Sequence, residues 1–433
     1  MDTNQPKAPK LSSRRELLKG GALMAVGAVA TGAASKLVTP ALADTTTSYV
    51  IDSAPQVPDT VDTIAYGERS HYVTAVRVQE SGRAPPPGFD DFGFTYHVQT
   101  PLQDSYGSMQ ASSLHYFATT KAAFVPDIDP DEHTLMIQGE VERPLILTMA
   151  DLKRFPSVSR FHFVECAGNS HNASHKTVQD SHGLTSNAEW TGVLLSTLLN
   201  EAGVKDSGKW FIAEGAEWNK GADSISMAKG MDDCIVAYAM NGEPLRPQNG
   251  FPLRLVTPGY EGIYNTKWLR RINVVDKYQL NMDDFGHLYR DETTAALGMS
   301  WGPKSIITFP SGEQKLTDHG WYEITGLAWS GQGVVTKVEV STDGGETWNE
   351  AELKTTPNPM AHTRFGYMWN WQGGEHVIMS RTTDEKGSIQ PTLQQVAEYF
   401  KVEYTPKYRP PGRNNTIMPW KIASDGSVTN GLA

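Results

Sequence analysis

The sequence predicts an α+β chain in two folded parts, a mixed α/β domain followed by a β-sandwich. Three observations carry this. Short apolar strand-like runs mix with helix-period segments between Asp127 and Asp276; alternating half-buried strand patterns follow with no helical stretch among them; and 433 residues, at roughly 150 per domain, leave room for two cores.

In the first part, strands are expected at Thr134–Gly139, Phe161–Val164, Trp210–Ala213 and Leu253–Val256. Helical segments are expected at Met149–Arg154, Leu194–Ala202 and Met227–Asp233. In the second, Tyr322–Trp329 and Val334–Val340 alternate as half-buried strands. Asp343-Gly344-Gly345 before Trp348 is a turn signal, and strands are expected again at Met360–Trp371, His376–Thr382 and Gln395–Glu403. The expected divisions are residues 111–277 for the α/β domain, 278–305 for a linker, 306–408 for the sandwich and 409–433 for a C-terminal tail. Residues 44–110, rich in Pro, Gly, Asp and Ser, are expected as an extended arm.

Residues 1–43 have the form of a signal peptide. Arg14-Arg15 precedes a Gly/Ala-rich apolar run from Gly20 to Ala34, and Ala41-Leu42-Ala43 is a small-residue cleavage site. The paired arginines fit the twin-arginine route, so the expected location is the periplasm. The run is shorter than the ~20 residues a membrane span needs, and no other run of spanning length follows, so a mature form without a span is expected.

Net charge is −11, and residues 1–43 hold six Lys/Arg against Asp2 and Glu16, so the remainder is more acidic still. No basic patch of the kind nucleic-acid binding requires is visible. An acidic body could steer a basic protein partner or be a solvated surface. The two cysteines, Cys166 and Cys234, could be bridged in an oxidising compartment or could each stand alone; the sequence leaves both open. Cys234 adjoins an apolar run and reads as core.

The chemistry-bearing segment is Phe161-His162-Phe163-Val164-Glu165-Cys166-Ala167-Gly168-Asn169-Ser170-His171. It sets a thiol where a strand enters a small-residue turn, with Gly168 allowing close backbone approach. A thiolate there could bind a soft metal or act as a nucleophile, and a buried structural cysteine is an equal reading by residue type alone. His162, Cys166, His171 and His175 suit no usual zinc spacing.

Cys166-Ala167-Gly168-Asn169 after an apolar strand resembles the cysteine loop of the sulfite oxidase family of molybdopterin oxidoreductases. The likeness extends through Gly139–Leu145 with Met149–Leu152, Glu189–Val193, Asn249–Gly259 and Asn265–Leu269. Gly326–Gly331, Val338–Trp348 and Arg381–Pro391 resemble the family's immunoglobulin-like dimerisation domain. The resemblance implies a sulfite-oxidase-type molybdopterin domain and one Mo-molybdopterin per chain, with Cys166 as the metal ligand and part of the catalytic centre. Asn249, Arg254, Asn265, Thr266 and Lys267 would hold the cofactor: an amide for the pterin edge, a guanidinium fork and an ammonium for the phosphate. Without that context, Arg254 and Lys267 would read as surface charges.

Two departures bear on substrate. Sulfite-oxidising members carry an Arg five residues after the cysteine and an Arg-Asn-His cluster upstream; here stand His171, taken as a catalytic candidate, and His115-Tyr116-Phe117-Ala118-Thr119-Thr120-Lys121. A tyrosine of those members aligns with Phe285. The pattern is closer to the family's sulfane dehydrogenases, which implies a sulfane sulfur on a carrier protein as substrate. His171 and Lys121 are the groups left to supply positive charge. Free sulfite is the alternative substrate, and a non-catalytic exported binding module is the alternative of another class. No Cys-x-x-Cys-His occurs, so no haem is expected in this chain, and electrons would leave to a c-type cytochrome. The sandwich resemblance implies a homodimer or a heterotetramer with that cytochrome.

Overall fold

The structure, a computed structural model, describes residues 69–70, 72–79, 96–119, 125–169, 171–216, 224–279, 299–399, 401, 403 and 414–432. The chain divides into two units, Met1–Thr74 and Ala75–Ala433. In the first, the Val73 N–H donates to the Ser70 carbonyl at 3.0 Å. All that follows belongs to the second. The expected signal segment, Lys121 and Phe285 lie outside the described residues.

Strands β1 (Val78–Gln79), β2 (Tyr96–Gln99) and β3 (Phe117–Thr119) make a small antiparallel sheet. Residues 96–99, expected as arm, therefore belong to the body: His97 and Gln99 are buried, and the Gln179 amide donates to the Gln99 carbonyl at 3.0 Å.

The α/β domain then runs β4 (Thr134–Gly139), β5 (Leu145–Thr148), α1 (Met149–Leu152), β6 (Ser157–Glu165), α2 (Val178–His182), β7 (Thr185–Leu194) and α3 (Leu195–Ala202). It continues with β8 (Trp210–Gly215), β9 (Ile225–Ser226), α4 (Met227–Asp232), β10 (Ile235–Met240), β11 (Glu243–Pro244), β12 (Arg254–Val256) and β13 (Leu269–Val275). One sheet is ordered β5-β4-β13-β8-β9, with β4 and β13 parallel; the other is β11-β10-β7-β6, with β12 also on β10. Helices α1 and α2 each start on a reciprocal cap, Thr148 with Asp151 and Thr177 with Asp180, which satisfies amides the first turn leaves without partners. Helix α3 buries Leu195, Leu198, Leu199 and Ala202 against Leu135, Ile137, Phe211 and Ile272, and ends on Gly203 at φ +70°.

The second part holds β14 (Lys304–Phe309), β15 (Gly320–Trp329), β16 (Val335–Ser341), β17 (Asn349–Glu350), β18 (Glu352–Leu353), β19 (Thr363–Trp371), β20 (His376–Asp384), α5 (Leu393–Tyr399), β21 (Trp420–Ile422) and β22 (Val428–Asn430). Two sheets, β14-β15-β19-β18 and β17-β16-β20-β21-β22, enclose a core that includes Trp329, Trp371, Trp420, Phe365 and Val338. This is the immunoglobulin-like sandwich, and the fold class is α+β as expected. The Asp343 turn forms as read: its carboxylate accepts from the Thr347 backbone and hydroxyl, while Gly344 and Gly345 take φ +78° and +96°.

Two expectations need correction. The strand expected at Gln395–Glu403 is instead helix α5. Leu393 and Ala397 bury one helical face, and Thr392 and Gln395 cap each other reciprocally at 3.2 and 2.8 Å. The residues expected as a tail are not one: 414–432 return to the body, with β21 pairing on β20 and Trp420 fully buried. In the expected linker, Met299 is buried in the α/β core and Trp301 in the sandwich core.

Candidate active site

Strand β6 ends between two cores. Phe163 packs into the sandwich core and Val164 into the core with Trp190, and the next two residues are Glu165 and Cys166. Cys166 is half-buried and unbridged, as is the buried Cys234. That answers the open question of a disulfide. The Cys166 N–H donates to the Leu184 carbonyl at 3.0 Å, and the Cys166 carbonyl accepts from Asn169 at 2.9 Å, which closes the loop as a tight turn. The loop at Gly262 runs alongside: a Cβ there would stand 3.0 Å from the Tyr116 hydroxyl and 3.3 Å from Cys166 Cα, so any side chain would need its neighbours to give by a few tenths of an ångström.

The segment from Asn249 to Lys267 forms one connected wall. Arg254 is buried, lies 4.6 Å from the Trp190 ring centre and donates to the carbonyls of Asn249 (3.0 Å) and Asn265 (3.1 Å). Burial lowers its pKa to about 10, so it stays charged at neutral pH. Asn265 turns its amide inward, accepting from Thr257 N–H at 2.9 Å and donating to the Glu261 carbonyl at 3.0 Å, so it shapes the loop. Lys267 donates to the Ala118 carbonyl at 2.8 Å and lies over Trp268.

In this wall Asn249 Oδ1, Arg254 Nε and Thr266 Oγ1 are buried without a hydrogen-bond partner among the described residues. Leaving such an atom unsatisfied costs about 1–3 kcal/mol each, so these are the wall's polar atoms open to a polar ligand. One acceptor, one cationic donor and one hydroxyl match the mixed edge of a pterin and its phosphate. His115 Nε2, next to Tyr116, is a fourth such atom. His115 stacks on Tyr116 and meets Trp190 edge-on, joining β3's approach to the Arg254 wall. Burial first, then negative charge at Cys166, raises the Tyr116 phenol well above its ordinary pKa, so it remains a proton-bearing donor.

Two domain models match this architecture: an oxidoreductase molybdopterin binding domain over residues 122–282 and a Mo-co oxidoreductase dimerisation domain over 299–403. The crystal structure of the sulfane dehydrogenase SoxCD from Paracoccus pantotrophus is similar at 33% identity and a TM-score of 0.77, covering 88% of this chain and 97% of that one. The chain belongs to the sulfite oxidase family of molybdopterin oxidoreductases. Mitochondrial sulfite oxidase of Rattus norvegicus is 32% identical over 317 residues, 64% of this chain and 56% of that protein. Nitrate reductase [NADH] 2 of Phaseolus vulgaris is 33% identical over 318 residues, 64% of this chain and 35% of that protein. The chain thus spans about a third to just over half the length of these curated relatives.

For this member of the sulfite oxidase family, the structure brings Asn249, Arg254, Asn265, Thr266 and Lys267 together. His171 stands apart. It is buried, with Nδ1 3.3 Å from His182 and Nε2 3.1 Å from the Thr416 hydroxyl, so neither nitrogen is left for a substrate. Burial first, then Lys304, lowers its pKa to about 3. The expectation that His171 supplies positive charge is therefore corrected: a desolvated imidazole held near a buried ammonium is neutral. Among the described residues no group of three or more His, Cys, Asp or Glu could hold a metal ion, which leaves the His162, Cys166, His171, His175 set without a centre.

Sequence reasoning missed Tyr116 and His115, noted only as departures from a pattern, and the Glu165–Lys304 pair behind the cysteine. The carboxylate and ammonium meet at 2.7 Å, both fully buried.

Proposed function

We propose that this chain is a molybdenum oxidoreductase that oxidises sulfane sulfur presented on a carrier protein, with Cys166 as the one protein ligand to the metal. The observation that carries the reading is the meeting of an unbridged, partly accessible Cys166 with a wall whose Asn249, Arg254 and Thr266 hold polar atoms without protein partners. Bound there, a molybdopterin would supply two-electron oxygen-atom transfer to sulfur, the oxygen coming from water. The protein's own residues would hold and orient: the charged Arg254 would offer its unpartnered Nε–H to the cofactor, the Gly262 loop packs against the cysteine backbone, and Tyr116 keeps its proton beside the thiol.

The cations among the described residues support this choice of substrate. A free sulfite dianion calls for a strong cationic clamp, yet His171 is neutral with both nitrogens engaged, and Arg254 and Lys267 direct donors to backbone carbonyls. A bulkier, less charged sulfane sulfur suits such a pocket. The same reading includes export by the twin-arginine route to the periplasm, electron transfer to a c-type cytochrome, no haem in this chain, and a homodimer or heterotetramer. Its support is the Arg14-Arg15 segment, the absence of a haem-attachment motif, and the likeness to SoxCD.

The test is turnover of sulfite against carrier-bound sulfane, with and without a c-type cytochrome, on protein whose molybdenum is measured. About one Mo per chain and preference for the carrier-bound substrate are expected. Faster turnover of free sulfite by the chain with cytochrome c alone would move the assignment to a sulfite dehydrogenase, and a correctly matured preparation without molybdenum would leave only a binding module.

A further inference from the structure

We infer that Lys304, assisted by Trp329, is a positioning residue for the Cys166 loop, so that the sandwich domain supplies the rear wall of the metal centre. This rests on the molybdenum reading above.

Glu165, the residue before the metal ligand, is wholly buried, and its two oxygens accept three hydrogen bonds. Lys304 Nζ donates to Oε1 at 2.7 Å, Asn169 Nδ2 to Oε1 at 2.8 Å, and Trp329 Nε1 to Oε2 at 2.8 Å. The first and third donors come from strands β14 and β15 of the sandwich, 139 and 164 residues further along the chain. Lys304 also donates to the Asn169 carbonyl at 3.2 Å, so a single ammonium grips both ends of the Glu165–Asn169 turn. The Asn169 amide oxygen in turn accepts from Leu184 N–H at 3.0 Å. The Cys166 backbone thus sits inside a closed circuit whose outer corners belong to another domain.

A buried ion pair is a poor means of gaining stability, because desolvation offsets most of the attraction and an apolar pair of like volume often does as well. What the pair does provide is direction and charge balance. The carboxylate can point only where three donors meet, which fixes the chain one bond before the thiol. The ammonium also offsets a negative charge that would otherwise stand next to an anionic thiolate ligand.

The experiment compares holoenzyme of wild type, Lys304→Met, Trp329→Phe and the double variant Glu165→Gln/Lys304→Met. Molybdenum content, the g-values of the Mo(V) electron paramagnetic resonance signal, kcat and KM are measured on each. In Lys304→Met we expect shifted g-values and kcat lower by roughly 10- to 100-fold, the range for residues that orient a metal ligand, with KM within about twofold. The double variant, which removes the stranded carboxylate charge, should return the signal toward wild type. Trp329→Phe keeps an aromatic six-membered ring and deletes the donor together with the indole's five-membered ring, so it should shift the signal the same way by less; it decides the matter should Lys304→Met fail to fold. Wild-type g-values and kcat in molybdenum-loaded Lys304→Met, or in Trp329→Phe where only that variant folds, overturn the inference alone. Wild type without molybdenum overturns the reading beneath it as well.

Discussion

The two sides of Cys166 obey opposite rules. Behind it, every oxygen of Glu165 has a donor and the opposing ammonium is matched; before it, Asn249, Arg254 and Thr266 each keep a buried polar atom with no protein partner. Both sides are equally dry, so burial does not distinguish them. Satisfaction does. The completed set around Glu165 serves the architecture, and the open atoms of the adjacent wall are the ones the proposed cofactor would meet.

The comparison can be broken most forcefully from behind. Glu165→Ala leaves the Lys304 ammonium buried without its partner and should destabilise the protein by about 3–5 kcal/mol, read from the denaturant midpoint; a loss near zero would mean the pair is not dry in solution. Next comes the proposed ligand itself. Cys166→Ser should lower turnover by more than about 100-fold, beyond what orienting residues lose, with an unchanged circular dichroism spectrum. Retained turnover would remove the thiol from the chemistry.

Acid sharpens the contrast, since the histidines around the site are held neutral by burial. His115, His171 and His362 have pKa values lowered to about 3 and His162 to about 4, against an ordinary 6.5. The unfolded chain therefore binds more protons than the folded one below pH 6.5. Stability present above that pH falls as pH falls through the window and levels off only below about pH 3, by up to about 1.4 kcal/mol per pH unit for each group. Glu165 and Asp233, whose burial raises their pKa values, act in the opposite sense and soften the slope. Denaturant midpoints at pH 7, 6 and 5 should descend in that order; midpoints that stay level would mean water reaches these rings.

The smallest effect lies in front. Thr266→Val removes an unpartnered hydroxyl at constant shape, so cofactor-free protein should hold its stability or gain about 1 kcal/mol while the variant retains less molybdopterin. Loss of stability without loss of cofactor would assign that hydroxyl to the fold.

Local signals were enough for most of this chain. Four strands of the α/β domain (β4, β6, β8 and β12) and three of its helices follow from periodicity, the Asp343 turn from its Asp-Gly-Gly, and the Cys166 loop and the Asn249–Lys267 wall from short motifs of fixed order, whereas β5, β7, β9, β10, β11, β13 and helix α2 were not read. Helix α5 carried its own marker, the Thr392-Leu393-Gln394-Gln395 cap, outweighed by the strand pattern before it. The Glu165–Lys304 pair had none. A lone Glu and a lone Lys read as surface charges, and only a pairing 139 residues apart makes their complete burial tolerable. His171 misled for the same reason, because its neighbours His182 and Thr416 are decided by packing that no short stretch of sequence records.

The closing strands have one more effect. Thr416 reaches the His171 ring, and the Asn430 amide donates to the carbonyls of Asn172 and His175 at 2.8 and 2.7 Å. A ribosome delivers these two residues more than two hundred positions after the segment they cover. The span following the cysteine therefore stays unlatched through nearly all of synthesis, and the order of manufacture places the fastening of that flap after every other described wall of the pocket has emerged.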